Sequence, residues 1–369
     1  MIISRTPYRI SFFGGGTDYP EWFHKHGGAV LGATIDKYCY ITCRYLPPFF
    51  DVKYRAVYSK VENKRSLDEI EHPVVREAIK FLKIKKGIEI HHQGDLPARS
   101  GMGSSSSFSV GILNALHALL GEMLTKEDLA KEAIHLERNL IKEAVGYQDQ
   151  IMASYGGFNH IVFYKGGGFS VRPMTIPEER LEELNRSLML FYTGIKRTAS
   201  DLAKKFINSF NNKKRTLRIM KDLVEEGISI ISGSENLIYF GELLHEAWEY
   251  KKSISSEISN RFVDEIYEKA REAGAVGGKL SGAGGGGFIL FFVPENKKED
   301  VREALSDLIY VPFKFERGGT QILFHDRDED YGLLEEIREK QKIRPFRELF
   351  EEKVVEIKPE TKKQVFIKT

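Results

Sequence analysis

The sequence predicts a mixed α/β protein of about two domains. The chain has 369 residues, and a single domain usually holds roughly 100 to 200 residues. Residues 35–45 and 288–293 are rich in β-branched, aromatic or other apolar side chains, which predicts strands. Residues 108–120 and 261–273 carry apolar side chains at helical spacing. Strand and helix signals alternate along the chain, and this alternation favours an α/β arrangement.

The first half of the chain predicts strands that lead into two helices. Residues 87–91 read as a further strand and run into a turn signal at residues 94–97. A run of glycine and serine follows, so these residues lie at the start of the helix predicted for residues 108–120. Thr125 has the character of an N-cap with acidic residues after it, which predicts a helix that continues through residue 138.

The second half of the chain begins near an apolar strand at residues 188–192. Residues 198–224 are predicted to form one long basic helix. We therefore predict an N-terminal domain of residues 1–190 and a C-terminal domain of residues 191–325. Residues 326–369 are dense in Lys and Glu and form a charged extension. Docking of this extension on the first domain and a contact in a dimer are both open.

Composition and charge argue against several classes of protein. Hydrophobic residues make up 41% of the chain, and the formal net charge is only +2, which argues against a general nucleic-acid binder. No apolar run reaches the roughly 18 residues of a membrane span, so we expect no membrane association and a cytoplasmic location. Cys39 and Cys43 are expected to be packed thiols in a strand.

Three glycine-rich segments stand out, at residues 13–18, 96–107 and 277–287. The second runs directly into a helix, whose N-terminus offers free N–H groups and a partial positive charge that suit phosphate. Its serines add hydroxyls that could bind phosphate oxygens or a magnesium ion. A flexible linker is the alternative, but a linker need not run into an amphipathic helix. The segment therefore predicts a phosphate-binding loop.

Other nucleotide motifs fit the third segment poorly. The Walker A pattern fails because Ala273 and Leu280 occupy positions that need Gly and Ser or Thr. The dinucleotide pattern G-x-G-x-x-G does occur at residues 282–287. A strand signal follows it, however, where a dinucleotide-binding fold needs a helix. Neither pattern explains the segment.

Together the three segments resemble the motifs of the galactokinase, homoserine kinase, mevalonate kinase and phosphomevalonate kinase superfamily. Residues 97–105 are similar to its phosphate loop, P-x-x-x-G-[LM]-G-S-S, and residues 278–287 to its C-terminal glycine motif. Residues 6–9 and 14–19 are similar to its N-terminal substrate motif. The resemblance implies an N-terminal lobe like ribosomal protein S5 domain 2 and a ferredoxin-like C-terminal lobe. ATP and a sugar would bind in the cleft between them.

The resemblance also implies catalytic and metal-binding roles. Ser105, the second serine of the family loop, would ligate Mg²⁺ together with Glu137 on a following helix. Asp149 lies in a turn similar to the family's G-x-x-D-Q and would orient or deprotonate the attacking hydroxyl. Arg9 would lie near this aspartate and the transferred phosphate. A salt bridge between Arg9 and Asp149 would keep the carboxylate ionised.

Two larger sets of residues are implied for the binding sites. ATP is predicted to bind at Pro97, Ser100, Gly101, Met102, Gly103, Ser104, Ser105, Ser106 and Ser107. The substrate is predicted to bind at Gly14, Gly15, Gly16, Thr17, Asp18, Arg197, Gly284 and Gly285. Asp18 matches the family's acidic residue that accepts hydrogen bonds from sugar hydroxyls. Arg197 follows Lys196 in a loop before a predicted helix and would bind a phosphate of the substrate, although basic residues on a helix face are an equally open interpretation.

The N-terminal motif carries the indication of the substrate. Galactokinases have a Glu-His pair where this chain has Gly15 and Gly16. The form Gly-Gly-Gly-Thr-Asp resembles the bacterial heptose 7-phosphate kinases, which phosphorylate the anomeric hydroxyl of D-glycero-D-manno-heptose 7-phosphate. A sugar 1-kinase of the fucose, glucuronate or galactose type is an alternative. A sensor that binds ATP and sugar without turnover is a second alternative. Both a monomer and a homodimer are compatible with the sequence.

Overall fold

The computed structural model describes residues 1–195, 203, 207–210, 212–326 and 331–341. Lys196 and Arg197, and with them the predicted contact to a substrate phosphate, lie outside these residues. The strands are β1 (Ile2–Phe13), β2 (Gly28–Tyr45), β3 (Tyr54–Val57), β4 (Val61–Lys64), β5 (Ile88–Gly94), β6 (Phe158–Phe163), β7 (Phe169–Pro173), β8 (Leu188–Tyr192), β9 (Gly277–Leu280), β10 (Phe288–Phe292), β11 (Ile309–Tyr310), β12 (Phe315–Glu316) and β13 (Gln321–His325). The helices are α1 (Pro20–His26), α2 (Pro73–Phe81), α3 (Ser104–Leu120), α4 (Lys126–His135), α5 (Gln148–Tyr155), α6 (Glu178–Ser187), α7 (Lys214–Ser232), α8 (Ile238–Lys252), α9 (Arg261–Glu272), α10 (Lys298–Ala304) and α11 (Gly332–Glu339).

The strands form two sheets. The larger sheet has the order β13-β1-β2-β5-β3-β4, with β6 and β12 also paired to β2 and β7 paired to β6. Strand β2 has 18 residues, and this length lets β6 pair with its first part while β5 pairs with its last part. The smaller sheet has the order β11-β8-β10-β9. A mixed α/β fold is therefore confirmed.

Helix α3 packs directly on the larger sheet. Ser4 Oγ donates to the Gly111 carbonyl at 2.8 Å, and Ser107 Oγ donates to the Pro7 carbonyl at 2.9 Å. A Cβ at Gly111 would lie 2.8 Å from Thr6 Oγ1, so this glycine permits the close approach of helix and strand. These contacts hold the first turn of α3, which follows the glycine–serine run, over β1.

Most of the predicted elements are confirmed, with one error in the second half. Thr125 Oγ1 accepts from the Asp128 N–H and caps α4 as predicted. The chain continues past α4 as a π-helical turn, Leu136–Leu140. The prediction of one unbroken helix over residues 198–224 is wrong, because Asn212 lies in a turn and α7 begins only at Lys214. Asparagine competes for backbone hydrogen bonds and disfavours a helix interior.

The end of the described chain returns to the larger sheet. Strands β12 and β13 follow the smaller sheet in sequence but pair with β2 and β1. In helix α11, which belongs to the charged extension, Glu335 Oε1 accepts from the Gly87 N–H at 2.7 Å. This part of the extension therefore docks beside β5. The domain boundaries at residues 190 and 325 stay predictions.

Two further predictions concern the core and the membrane. Cys39 and Cys43 are buried thiols packed in β2, as predicted. Among the residues that the structure describes, no helix is both long enough and apolar enough to cross a bilayer.

Candidate active site

A buried ion pair joins the first strand to helix α5. Arg9 Nε and Nη2 donate to Asp149 Oδ1 at 2.7 Å and to Oδ2 at 2.9 Å, which is the bidentate geometry that makes such pairs strong. Arg9 is 4% exposed and Asp149 is 25% exposed. The predicted salt bridge is thus present, and the aspartate keeps one side accessible.

The same arginine holds the phosphate loop. Arg9 Nη1 donates to the Gly101 carbonyl at 2.7 Å, and the Arg9 backbone N–H donates to the Met102 carbonyl at 3.1 Å. Gly103 lies against the pair, since a Cβ there would be 3.2 Å from Arg9 Cγ and 3.4 Å from Asp149 Oδ2. The structure therefore brings the predicted loop and the predicted catalytic aspartate together through Arg9.

The start of α3 has the features of an anion site. The helix begins at Ser104, and Gly103 before it has φ 75°. No side chain of the described residues caps this terminus, so the first N–H groups of α3 are available to an anion. Ser100 Oγ, by contrast, donates to the Pro97 carbonyl at 2.6 Å and shapes the loop itself. Nucleotide binding at this loop stays a prediction.

Glu137 is completely buried beneath the loop. Its Oε2 accepts from Ser106 Oγ at 3.1 Å and from Gln150 Nε2 at 2.6 Å. Burial raises the pKa of this carboxyl to about 7. The serine that contacts Glu137 is thus Ser106, whereas Ser105 is exposed on the first turn of α3.

The second carboxylate oxygen of Glu137 indicates whether the site suits a cation. Glu137 Oε1 is buried and accepts no hydrogen bond of ordinary geometry from the described residues, although the Ser109 hydroxyl lies near the carboxyl. Buried polar atoms are nearly always satisfied, and a carboxylate oxygen beside hydroxyls is a ligand that Mg²⁺ accepts. The described chain holds no cluster of three or more His, Cys, Asp or Glu side chains suited to a metal. Phosphate and water would therefore have to supply the remaining ligands, as is usual for Mg²⁺.

A second carboxylate, Asp18, lies beside the turn that carries Asp149. Asp18 Oδ1 accepts from the Gly16 N–H at 2.9 Å, and Oδ2 accepts from the Gln148 N–H at 3.2 Å. Asp18 is 1% exposed, and burial raises its pKa to about 6. The Asp149 charge contributes to that raised pKa after burial, so the two carboxylates lie near each other.

The rest of the N-terminal motif shapes the loop around Asp18. Thr17 Oγ1 lies 2.8 Å from the Gly14 carbonyl oxygen and 2.9 Å from the Ala29 carbonyl oxygen, either of which can accept its single O–H, and it accepts from the Ala29 N–H at 3.1 Å. The hydroxyl therefore holds the loop on β2. A Cβ at Gly14 would lie 1.9 Å from the Ala29 carbonyl oxygen. A Cβ at Gly15 would meet only Ser11 and Gln148, at 3.4 Å and 3.7 Å. Substrate contacts at these residues stay predictions.

The C-terminal glycine motif packs backbone to backbone on the phosphate loop. A Cβ at Gly101 would lie 2.5 Å from the Ser281 carbonyl oxygen, and one at Gly282 would lie 2.6 Å from Gly101 Cα. The Phe288 N–H donates to the Ser100 carbonyl at 3.1 Å. The two motifs, predicted separately from the sequence, thus form one contiguous structure.

Gly284 and Gly285 contact the turn that precedes α9. Gly285 N–H donates to the Ile258 carbonyl at 2.8 Å, and the Gly285 carbonyl accepts from Asn260 Nδ2 at 3.1 Å. A Cβ at Gly284 would lie 2.8 Å from Ile258 Cα. Their described contacts are with this turn, and their role toward a substrate stays a prediction.

Sequence reasoning missed two lysines beside the glycine motif, of which Lys251 is half-buried and Lys279 is buried. Lys251 Nζ donates to the carbonyls of Leu280 and Gly282 at 3.1 Å and 2.6 Å. Lys279 Nζ donates to the Phe12 carbonyl at 2.6 Å and is 6% exposed. Lys279 lies inside the glycine motif, which is a usable signal. Lys251 is half of a Lys-Lys pair at the end of a helix, a pattern typical of a solvated surface.

Comparison with known proteins matches both halves of the chain. Residues 73–157 match the family described as "GHMP kinases N terminal domain", and residues 220–310 match "GHMP kinases C terminal". A D-glycero-alpha-D-manno-heptose 7-phosphate kinase of Campylobacter jejuni is 32% identical over 315 residues, which cover 82% of this chain and 93% of that protein. The crystal structure of a D-glycero-D-manno-heptose 1-phosphate kinase from Bacteroides thetaiotaomicron aligns with a TM-score of 0.66 at 27% identity, covering 88% of this chain and 99% of that one. A putative sugar kinase from Campylobacter jejuni aligns with a TM-score of 0.63 at 30% identity, over 87% and 97% of the two chains.

Proposed function

This chain belongs to the GHMP kinases and is an ATP-dependent sugar kinase, and we propose that it phosphorylates the anomeric C1 hydroxyl of D-glycero-D-manno-heptose 7-phosphate. The observation that carries the choice of acceptor is the loop of residues 14–18. It presents Asp18 beside Asp149, and it has no side chain at positions 15 and 16, where a large acceptor needs room. The names of the two heptose-phosphate kinases support the same class of sugar.

In the proposed reaction the loop before α3 holds the phosphates of ATP. Backbone N–H groups at the helix start would bind phosphate oxygens. Mg²⁺ would be held by Glu137 with a loop hydroxyl, Ser105 in the family pattern or Ser106 by its contact here. When bound it would offset the charge of the phosphates. Arg9 fixes the loop through Gly101 and carries a further positive charge beside it.

Asp149 would act on the acceptor. The hydroxyl oxygen forms a bond to the γ-phosphorus, the bond to the β,γ-bridging oxygen breaks, and ADP leaves. The proton of the hydroxyl passes to Asp149, whose carboxylate is held in place by two hydrogen bonds from Arg9. Asp18 would accept hydrogen bonds from neighbouring sugar hydroxyls, since a carboxylate has free lone pairs beyond those used here. Both carboxylates thus orient the acceptor toward the loop.

The decisive experiment is a panel of sugars with ADP release as the readout and NMR of the product. The two relatives carry different phosphate positions in their names, so the panel includes heptose 7-phosphate and heptose 1-phosphate. We expect the highest kcat/KM with heptose 7-phosphate and a new phosphate at C1. Preferred turnover of fucose, glucuronate or galactose would reject the proposed acceptor. ATP binding without turnover of any sugar would favour the sensor.

Gly146→Ala is predicted to damage use of the sugar while leaving ATP binding intact. A Cβ at Gly146 would lie 1.9 Å from Asp18 Oδ2, so the carboxylate must move. A displacement of about 1 Å in a reacting site can cost on the order of 100-fold, and we expect a loss of that size in kcat/KM for the preferred sugar. The Kd for ATP, measured by calorimetry, is the internal control. An unchanged kcat/KM would remove Asp18 from the acceptor site.

A further inference from the structure

We propose that Lys251 binds a phosphate oxygen of a substrate beside Gly282, and so adds a cation to the phosphoryl-transfer site. The inference requires a phosphate-bearing ligand. The ATP of a kinase supplies one, and the phosphate of the acceptor supplies another if the proposed function holds. Both sources share the same chemistry, so the experiment below has one arm for each.

The first argument is the number of hydrogen-bond donors. Lys251 is the second-last residue of α8. Its Nζ donates to Leu280 O and Gly282 O, whereas an ammonium group carries three N–H donors. The Trp248 ring, with its centroid 5.8 Å from Nζ, covers another side of the group. One donor is thus left for a ligand.

The second argument is charge. Among the described residues, no carboxylate lies within ion-pair distance of Lys251. Its charged neighbours Arg9 and Lys279 are both cations. Burial, and after it the charge of Arg9, lowers the pKa of Lys251 to about 7. Burial, and after it the charge of Lys251, lowers the pKa of Lys279. Arg9 is paired with Asp149, but half-buried Lys251 and buried Lys279 have no carboxylate partner among the described residues, and cations held away from water without such a partner are costly. A bound anion would remove that cost.

The third argument is position. Lys251 holds the Gly282 carbonyl, and Gly282 packs against Gly101 of the phosphate loop. Gly101 in turn accepts from Arg9. The backbone of Gly282 therefore lies between Lys251 and the phosphate loop, and Lys251 is on the side of the C-terminal glycine motif. This position favours the phosphates of ATP over the phosphate of the sugar.

A purely structural role makes a different prediction. If Lys251 only fastens the two carbonyls, a neutral donor can replace it, so Lys251→Gln would behave as wild type. If Lys251 binds phosphate, Lys251→Gln and Lys251→Met both weaken binding and Lys251→Arg restores much of it, since Arg also pairs with phosphate. Lys252→Met is the matched control, because Lys252 is adjacent on α8, partly exposed, and paired with Glu249 at 2.7 Å.

The experiment measures the Kd of ATP and of adenosine by calorimetry on each full-length variant, and the KM of the preferred sugar phosphate. A lost charged hydrogen bond weakens binding by roughly 10- to 100-fold. We expect the Kd of ATP to rise by that factor in Lys251→Met, and the Kd of adenosine to stay unchanged. A loss confined to the KM of the sugar phosphate would support the acceptor source.

Wild-type Kd and KM values in Lys251→Gln would overturn the inference. The Tm without ligand shows whether each variant folds, and Lys251→Gln decides the outcome if Lys251→Met does not. The ATP arm needs no turnover. It therefore tests Lys251 even if the sugar panel rejects the proposed acceptor.

Discussion

Asp149→Asn is expected to lower kcat by roughly 10²- to 10⁴-fold, the range for loss of a general base, while ATP still binds. Asparagine keeps the size of the side chain and one oxygen acceptor for Arg9, but it cannot take up a proton. The proton of the attacking hydroxyl then has no acceptor at this position. Arg9 also loses the negative charge of Asp149, which neutralises the guanidinium through the bidentate contact.

The measurement is ADP release with the preferred sugar, together with the Kd of ATP. Asp222→Asn is the control, because Asp222 is exposed on α7. A shared fall in Tm and in ATP binding would mean that the ion pair serves folding alone. A kcat within threefold of wild type, which is small beside the expected range, would remove Asp149 as the base.

Gly101→Ala is expected to weaken ATP binding strongly, whereas Gly121→Ala is not. Both glycines have left-handed φ, 82° and 79°, and alanine pays about 1–2 kcal/mol in that conformation. A Cβ at Gly101 would also lie 2.5 Å from the Ser281 carbonyl oxygen, while a Cβ at Gly121 meets nothing within 4 Å. Comparison of the two variants therefore separates the effect of backbone strain from the effect of the clash between the two loops.

Calorimetry with ATP and thermal melting test this pair of variants. We expect backbone strain to lower the Tm of both variants by a similar amount. For Gly101→Ala alone we expect the Kd of ATP to rise at least about tenfold, which is the effect of losing one charged contact to phosphate. Equal ATP affinities would show that contact with the glycine motif does not set the geometry of the phosphate loop.

The phosphate loop could be predicted because its signal is local. Glycines and serines directly before an amphipathic helix mark the helix start wherever the chain folds. The pairing of Arg9 with Asp149 joins residues 140 positions apart. No periodicity reveals such a contact, and the resemblance to a family supplied it.

Other features of the site depend on packing that the sequence does not display. Successive helix residues point about 100° apart. The docking of the π-helical turn after α4 on α3 decides that Ser106, not Ser105, meets Glu137. Lys251 is half-buried where α8 packs on β9. Before folding, its sequence is that of an ordinary exposed helix end.

The contact between Gly101 and Gly282 has a consequence for the divergence of such enzymes. The two loops meet through main-chain atoms, so almost any substitution there is harmful and the nucleotide side offers little room for variation. At Gly15 a new side chain would meet only ordinary contacts. Under the proposed function, mutation at Gly15 can therefore explore new acceptors while the nucleotide-binding loop is inherited unchanged.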